Sequence, residues 1–201
     1  MLSVIGPHSG CGKTTLVIRL LHGIRGLGCL KISPAHTQPD DLPRGVKAAG
    51  EHFYLEDPPR LNRPGKDTAL YLAAGAAHVE RLRHWENGLS EGLVTAIDRF
   101  PPETPIVVES SSAVRFLNPA AVVLVIRPPI REMKPATRDV LPLVTDLLVN
   151  ASDGEASATD ETERLRHEFP ALNPPYTWSA DLLHQPPPNE MVTRLRNLLS
   201  R

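Results

Sequence analysis

The feature that most constrains the fold is a glycine-rich segment near the start of the chain. It reads Gly6-Pro7-His8-Ser9-Gly10-Cys11-Gly12-Lys13-Thr14-Thr15, and it lies between an apolar run at 2–5 and a helical pattern at 13–25. A sharp turn from a strand into a helix requires positive φ angles, which glycine adopts without steric cost. The segment therefore predicts a strand, a tight loop and a helix as the first unit of an α/β domain.

The rest of the chain continues this alternation. Several of the apolar runs are continuous, which is typical of strands whose two faces are both covered by helices. We predict a single domain over 1–201 with a mostly parallel sheet, helices on both faces and the P-loop nucleoside triphosphate hydrolase fold. Strands are predicted at 2–5, 28–32, 52–56, 78–83, 105–109, 122–126, 146–150 and 176–178, and helices at 13–25, 67–74, 88–99, 159–169 and 189–199.

Three further stretches are predicted to lack regular structure. The regions 33–51 and 57–66 are long and irregular, and a small polar stretch at 152–160 predicts a loop. Long loops at strand ends in α/β domains often contact ligands, so we expect substrate or partner contacts in the first two.

Composition narrows the class of partner. The 201 residues carry 22 Lys plus Arg and 23 Asp plus Glu, a net charge of −1, which gives no electrostatic footprint for nucleic acid or an anionic membrane. The longest apolar run is far too short to cross a bilayer, and one of only two cysteines lies inside the glycine-rich loop. We therefore expect a cytoplasmic protein with reduced thiols, bound neither to nucleic acid nor to a membrane.

The glycine-rich loop predicts a phosphate site. Successive backbone N–H groups of such a loop point inward at phosphate oxygens, and the positive end of the following helix dipole adds to them. Lys13 can then reach the β- and γ-phosphates, the Thr14 hydroxyl can bind Mg²⁺, and Thr15 can contact the α-phosphate. The strict spacing would put the first glycine at Pro7, so the loop is either one residue longer or opens differently. The predicted nucleotide-binding residues are Gly10, Cys11, Gly12, Lys13, Thr14 and Thr15.

A loop of this kind works with an acidic residue at the end of a neighbouring strand, which completes the Mg²⁺ site. Glu109 ends the predicted strand 105–109 and is the first choice for this metal contact. Asp67 is the second choice and a candidate catalytic residue, although an aspartate at the start of a helix can equally be its N-cap. Asp57 is a weaker candidate.

A second motif bears on the base. Asn150-Ala151-Ser152-Asp153 follows an apolar strand, where guanine-specific P-loop proteins place an Asn-x-x-Asp pair whose carboxylate receives the guanine N1 and N2 protons. Asn150 and Asp153 are therefore candidate guanine contacts. The lysine that usually follows the asparagine is Ala151 here.

Two polar clusters are open to alternative interpretations. Ser110-Ser111-Ser112 follows Glu109 and is interpreted as a polar turn, because no Gly-x-Ser-x-Gly sequence surrounds it. Arg127, Arg131 and Lys134 can meet an anionic ligand or partner, or can lie in a solvated loop.

Several motifs together resemble those of the molybdopterin-guanine dinucleotide biosynthesis protein B (MobB) family of small P-loop proteins. They are Gly10-Cys11-Gly12-Lys13-Thr14-Thr15-Leu16, Gly28-Cys29-Leu30-Lys31, Pro64-Gly65-Lys66-Asp67-Thr68 with Ala74-Gly75-Ala76, and Val107-Val108-Glu109. The second strand departs from the family, because Ile32-Ser33-Pro34 replaces its histidine-rich segment. Ser110 also stands where the family usually has glycine.

This resemblance implies a protein that binds GTP and Mg²⁺, is often a homodimer, and assists a nucleotidyltransferase that attaches a nucleotide to molybdopterin. It places Lys13 and Thr14 on phosphates and Mg²⁺, and Asp67 and Glu109 near the metal. We therefore expect a GTP-binding protein with slow GTPase activity in molybdenum cofactor biosynthesis. The alternatives are a small-molecule kinase that uses ATP or GTP, with Asp67 or Glu109 as base, and a non-catalytic scaffold that assembles on binding nucleotide.

Overall fold

The computed structural model of the chain describes residues 1–36, 52–130, 132–151 and 155–200, the last range with its side chains from residue 159 onward. Within these ranges the strands form one eight-stranded sheet in the order β3-β4-β2-β5-β1-β6-β7-β8. All neighbouring strands in it are parallel except β3 and β4. The α/β class and the mostly parallel sheet are thus confirmed. The strands are β1 (Leu2–Ile5), β2 (Gly28–Pro34), β3 (Phe53–Leu55), β4 (Val79–His84), β5 (Ile106–Glu109), β6 (Ala121–Ile126), β7 (Asp146–Asn150) and β8 (Tyr176–Ala180).

Helices connect most of these strands, and all five predicted helices are present. Two short helices at Pro58–Leu61 and Pro135–Arg138, and two 3₁₀ turns at Val114–Phe116 and Leu141–Leu143, were not predicted. The helices are α1 (Lys13–Gly23), α2 (Pro58–Leu61), α3 (Asp67–Ala73), α4 (Leu89–Ile97), α5 (Pro135–Arg138), α6 (Glu155–Glu168) and α7 (Asn189–Leu199).

Two of the predicted loops need correction. The loop predicted at 152–160 is wrong from residue 155 onward, because α6 begins at Glu155. Alanine favours helices, and acidic residues near a helix N-terminus are stabilised by the helix dipole. The composition of that stretch therefore suits the first turns of a helix better than a loop. The irregular region at 57–66 contains α2, whose first residue is a proline and whose N-cap is Asp57. Most of the region 33–51 lies outside the described residues.

The core has two layers, one on each face of the sheet. One cluster joins alternate residues of the central strands, such as Val4 and Val107, to α1, α3 and α7. The residues between them, such as Ile5 and Val108, belong to two clusters on the opposite face, which pack against α4 and α6. Within the described ranges, no helix has both the length and the apolarity that crossing a membrane requires.

Candidate functional site

The glycine-rich loop occupies residues 6–12, between the end of β1 and the start of α1. Gly10 has φ +82° and Gly12 has φ +108°, so both adopt the left-handed backbone that the sequence predicted. Gly12 is the N-cap of α1, no side chain in the described ranges caps this end, and the first turn carries no acidic residue. The N–H groups at this end therefore have no acceptor within the helix, and they favour an anion.

The start of the loop explains its unusual spacing. A Cβ on Gly6 would collide with the Cys11 Sγ, which lies buried beneath the loop. The Gly6 carbonyl accepts a hydrogen bond from the buried Thr137 Oγ1 at 2.9 Å, and the Pro7 carbonyl accepts one from the Lys134 N–H at 3.0 Å. The required glycine is thus at position 6, and the segment around α5 supports the loop from one side.

Asn150 supports the loop from the other side. Its side chain is buried at the end of β7, where Nδ2 donates to the Cys11 carbonyl at 3.1 Å. Its Oδ1 accepts from the Leu182 N–H at 3.0 Å. A side chain on Gly12 would meet this amide, so the loop and Asn150 fit closely. Asn150 thus positions the loop, while its predicted partner on guanine, Asp153, lies outside the described residues.

Two side chains at the start of α1 face the open end of the loop. The Lys13 Nζ donates to the His8 carbonyl at 2.7 Å and so lies over the loop. The Thr14 Oγ1 donates to the Glu109 Oε2 at 3.3 Å, across the gap between α1 and the end of β5. The two predicted metal contacts, 95 residues apart in sequence, are therefore brought together.

Glu109 is the centre of a buried polar cluster. Its side chain is 3% exposed, and it accepts hydrogen bonds from the Lys31 Nζ and the Tyr71 hydroxyl as well as from Thr14. The Lys31 Nζ also lies 3.0 Å from Asp67 Oδ2, so Lys31 bridges the two predicted acids. Burial, and then the nearby Glu109 carboxylate, raise the pKa of Tyr71, which keeps its proton on the hydroxyl.

These residues suit Mg²⁺ better than a transition metal. Thr14 and Glu109 offer a hydroxyl and a carboxylate, which are the hard oxygen ligands that Mg²⁺ prefers. No group of three or more His, Cys, Asp or Glu able to hold a metal is found in the described part of the chain. Mg²⁺ usually binds through one or two protein oxygens together with nucleotide phosphates and water. Thr14 and Glu109 would therefore hold it only with a bound nucleotide.

The loop and the cluster open into one cleft of about 530 Å³. Two carboxylates, Asp67 and Glu109, line it, together with the serines at 110–112. Among the described residues, five cationic side chains line the same cleft: Lys13, Lys31, Arg81, Arg83 and Lys134. Within this described lining, cationic side chains outnumber carboxylates, which favours ligands that carry phosphate groups.

The other residues predicted from the sequence lie in different local settings. Asp67 begins α3 beside Lys31, and it is not the N-cap, since that position is Lys66. Asp57 caps α2 through a hydrogen bond from the Arg60 N–H at 3.2 Å and forms an ion pair with the Arg60 side chain, and it is not part of the cleft lining. Thr15 lies in the first turn of α1.

The two polar clusters predicted at 110–112 and 127–134 differ in their position relative to the cleft. Ser110, Ser111, Ser112 and Lys134 line the cleft, whereas Arg127 is exposed and is not part of its lining. Arg131 lies outside the described residues.

Three residues of the cleft region were missed. Tyr71 gave no signal, because an aromatic residue within a short helix usually belongs to the core. Arg81 and Arg83 flank Leu82 near the end of β4. Because alternate residues of a strand share a face, this spacing could have indicated two arginines on the same face of the sheet.

No protein-family model matches the chain, and no curated protein is significantly similar to it.

Proposed function

We propose that this chain binds a nucleoside triphosphate, GTP, with Mg²⁺ through the loop at 6–12 and the start of α1, and hydrolyses it slowly. The observation that carries the proposal is the 3.3 Å contact between the Thr14 hydroxyl and the buried Glu109 carboxylate. It supplies oxygen ligands from two elements beside uncapped helix N–H groups. This arrangement favours the P-loop nucleoside triphosphate hydrolase fold, in which such a hydroxyl and carboxylate serve one Mg²⁺.

The geometry suggests a place for each part of the nucleotide. The α- and β-phosphates would accept hydrogen bonds from the loop N–H groups, and Lys13 would move from the His8 carbonyl to the β- and γ-phosphates. The γ-phosphate would then face Glu109 and Asp67. The base would lie toward the end of β7, where Asp153 is the candidate that receives the guanine N1 and N2 protons.

Hydrolysis is expected to be slow. Water attacks the γ-phosphorus, the bond to the β–γ bridging oxygen breaks, and GDP and phosphate result. Phosphoryl transfer depends on positioning and on charge stabilisation, and the described lining of the cleft has no glutamine to orient the water. Asp67, at the open side of the cluster, is the candidate for that role. We expect turnover below about 1 s⁻¹ for the protein alone.

The pathway is proposed from the motifs and not from the geometry. The resemblance of the Gly-Lys-Asp segment and the Glu109 strand to the MobB family supports a role beside a molybdopterin nucleotidyltransferase, with a homodimer as the working unit.

A second function, transfer of the γ-phosphoryl group to a small molecule, is favoured by the cleft itself. It extends from the loop past Asp67 to Arg81 and Arg83, which leaves room for an acceptor.

A thermal-shift titration with Mg²⁺ and GTP, GDP, ATP or ADP tests the proposal. A nucleotide at about 100 times its dissociation constant adds roughly 2.7 kcal/mol of stability, which raises the melting temperature measurably. We expect GTP to stabilise the wild type more than ATP does. Lys13→Ala should abolish the effect of both nucleotides, and Asp153→Ala should remove only the preference for GTP.

The other outcomes are equally informative. Stabilisation by ATP that equals or exceeds that by GTP, and that Asp153→Ala leaves unchanged, would contradict the guanine assignment and favour the kinase. Nucleotide-dependent dimerisation without product would favour the scaffold. No stabilisation by any nucleotide would contradict the proposal as a whole.

A further inference from the structure

The part of the cleft beyond the proposed γ-phosphate position holds two arginines that the nucleotide does not use. Arg81 and Arg83 lie on β4, on the same face as Lys31, since each is paired in register with a residue of β2. Arg81 is beside Lys31, and Lys31 is beside Glu109. Two strand spacings separate the backbone of Arg81 from that of Glu109, roughly 10 Å. The arginines therefore lie next to the proposed reaction centre.

Arg81 is a buried cation whose guanidinium is only partly satisfied. The residue is 7% exposed, and its buried Nε makes no hydrogen bond with the described residues. Glu56, the acid beside it, lies 3.4 Å from the Arg81 Nε. Burial, and then the charge of Arg83, lower the pKa of the Arg81 guanidinium. A buried cation is costly unless an anion compensates it, so this environment favours a bound anion.

Glu56 cannot compensate both arginines. The same oxygen, Oε1, accepts a hydrogen bond from the Arg83 Nε at 3.1 Å, and Glu56 does not itself line the cleft. Arg83 also donates to the Pro34 carbonyl at 3.3 Å, which fixes its guanidinium at the cleft wall. One carboxylate oxygen is thus shared by two guanidinium groups, and both arginines line the cleft.

We propose that Arg81 and Arg83 form a second anion subsite, which binds the phosphate group of a small phosphorylated ligand beside the nucleotide. A phosphate monoester offers three acceptor oxygens, enough for two guanidinium groups, whereas a carboxylate offers only two. The hydroxyls of Ser110–Ser112 and the Lys134 ammonium line the same cleft and add donors. The subsite deepens the proposed function, on which it rests, by naming the chemical class of the second ligand.

The test uses inorganic phosphate as the probe. Protein saturated with Mg²⁺ and a non-hydrolysable GTP analogue is titrated with phosphate by calorimetry, so that the nucleotide blocks the loop at 6–12. We expect one phosphate to bind to the wild type and acetate at equal ionic strength to bind more weakly. Because charge-assisted hydrogen bonds are lost, Arg83→Gln should weaken phosphate binding by about tenfold or more.

Two further variants separate the subsite from general effects. Arg81→Lys keeps the buried charge but loses the planar fork, so it should fold and still weaken phosphate binding several-fold. Arg166→Gln makes the same charge change as Arg83→Gln on the exposed surface of α6 and should leave phosphate binding unchanged. All three variants should retain the affinity for the analogue.

Failure of the subsite and failure of the proposed function give different results. If the analogue binds but phosphate does not, or if Arg166→Gln weakens phosphate as much as Arg83→Gln does, the subsite is wrong. If the analogue itself does not bind, the proposed function is wrong, and the titration is repeated on Lys13→Ala without nucleotide. Phosphate binding there that disappears on adding Arg83→Gln supports the subsite, and no binding overturns it.

Discussion

The Glu109 side chain shows how a buried carboxyl group can be held in one place by its neighbours. Lys31 supplies an opposite charge, while the Tyr71 and Thr14 hydroxyls supply hydrogen bonds. A buried ion needs both kinds of partner, because its lost hydration must be replaced on every side. The carboxyl group is thereby fixed beside Thr14, which would lower the entropic cost of the proposed binding of a metal with the nucleotide.

Tyr71 gives a prediction at this scale. Tyrosine has an ordinary pKa near 10, and the folded protein raises that of Tyr71, so the folded state keeps a proton that the unfolded state loses. The Tyr71 contribution to stability is therefore full below pH 10 and declines above it, by about 1.4 kcal/mol per pH unit. Tyr71→Phe should be less stable than the wild type at pH 7 by about 1.5–3 kcal/mol, the value of a hydrogen bond to a charged group.

Urea unfolding of the wild type and of Tyr71→Phe between pH 7 and pH 11 measures this difference. The gap in unfolding free energy should hold up to about pH 10 and then narrow. A gap that stays constant to pH 11 would show that Tyr71 does not act through its proton on Glu109.

Site residues that belong to a local sequence motif could be predicted. Site residues that are brought to the site only by tertiary packing could not. Lys13, Thr14 and Glu109 could be named because loop spacing and strand ends are visible in the sequence. Tyr71 and Arg81 are placed by the packing of α3 and β4 against the site. Their contribution depends on burial, which no short pattern specifies.

At the scale of elements, one asparagine joins three of them. Asn150 at the end of β7 holds the loop before α1 through Cys11, and it holds the segment after β8 through Leu182. Both partners are backbone groups in a buried environment, where an unpaired donor costs more than a single hydrogen bond contributes. The shape of the glycine-rich loop therefore depends on a residue that lies two strands away from β1 in the sheet.

Asn150→Ala tests this link. It should lower the free energy of unfolding by about 1–3 kcal/mol, because it leaves the Leu182 N–H buried without an acceptor. Chemical denaturation of this variant beside Asn118→Ala, an equivalent change at an exposed position, provides the comparison. Equal stability of the two variants would contradict the positioning role of Asn150.

The sequence predicted the type of each strand and helix more accurately than it predicted where each begins and ends. All eight strands lie where their apolar runs predicted, and β1, β7 and α7 match to the residue. The error at α6 arose because small polar residues suit both a loop and the first turns of a helix. Packing of Leu165 into the core, and not local propensity, decides that case.

At the scale of the whole molecule, the strand order places the site. From β1, the strands β5, β2, β4 and β3 follow in that order on one side, and β6, β7 and β8 follow on the other. Parallel sheets bind ligands at the carboxyl ends of the strands where the order changes direction. The loop after β1 and the carboxylate ending β5 both lie at that point. The sequence could not predict this order, because the insertion of β5 between β1 and β2 depends on pairings distant along the chain.

The proposed magnesium–nucleotide site is tested most directly by the effect of Mg²⁺ on GTP affinity. Calorimetry measures this effect in the wild type, Thr14→Ala and Lys13→Ala. Thr95→Ala, at a half-buried position of α4 outside the cleft lining, serves as the control. We expect Mg²⁺ to tighten GTP binding by about tenfold or more in the wild type and the control. That gain should disappear in Thr14→Ala, while Lys13→Ala should weaken binding with and without Mg²⁺. GTP affinity that is unaffected by Mg²⁺, or by the loss of Lys13, would contradict the assignment of this loop and Glu109 as a magnesium–nucleotide site.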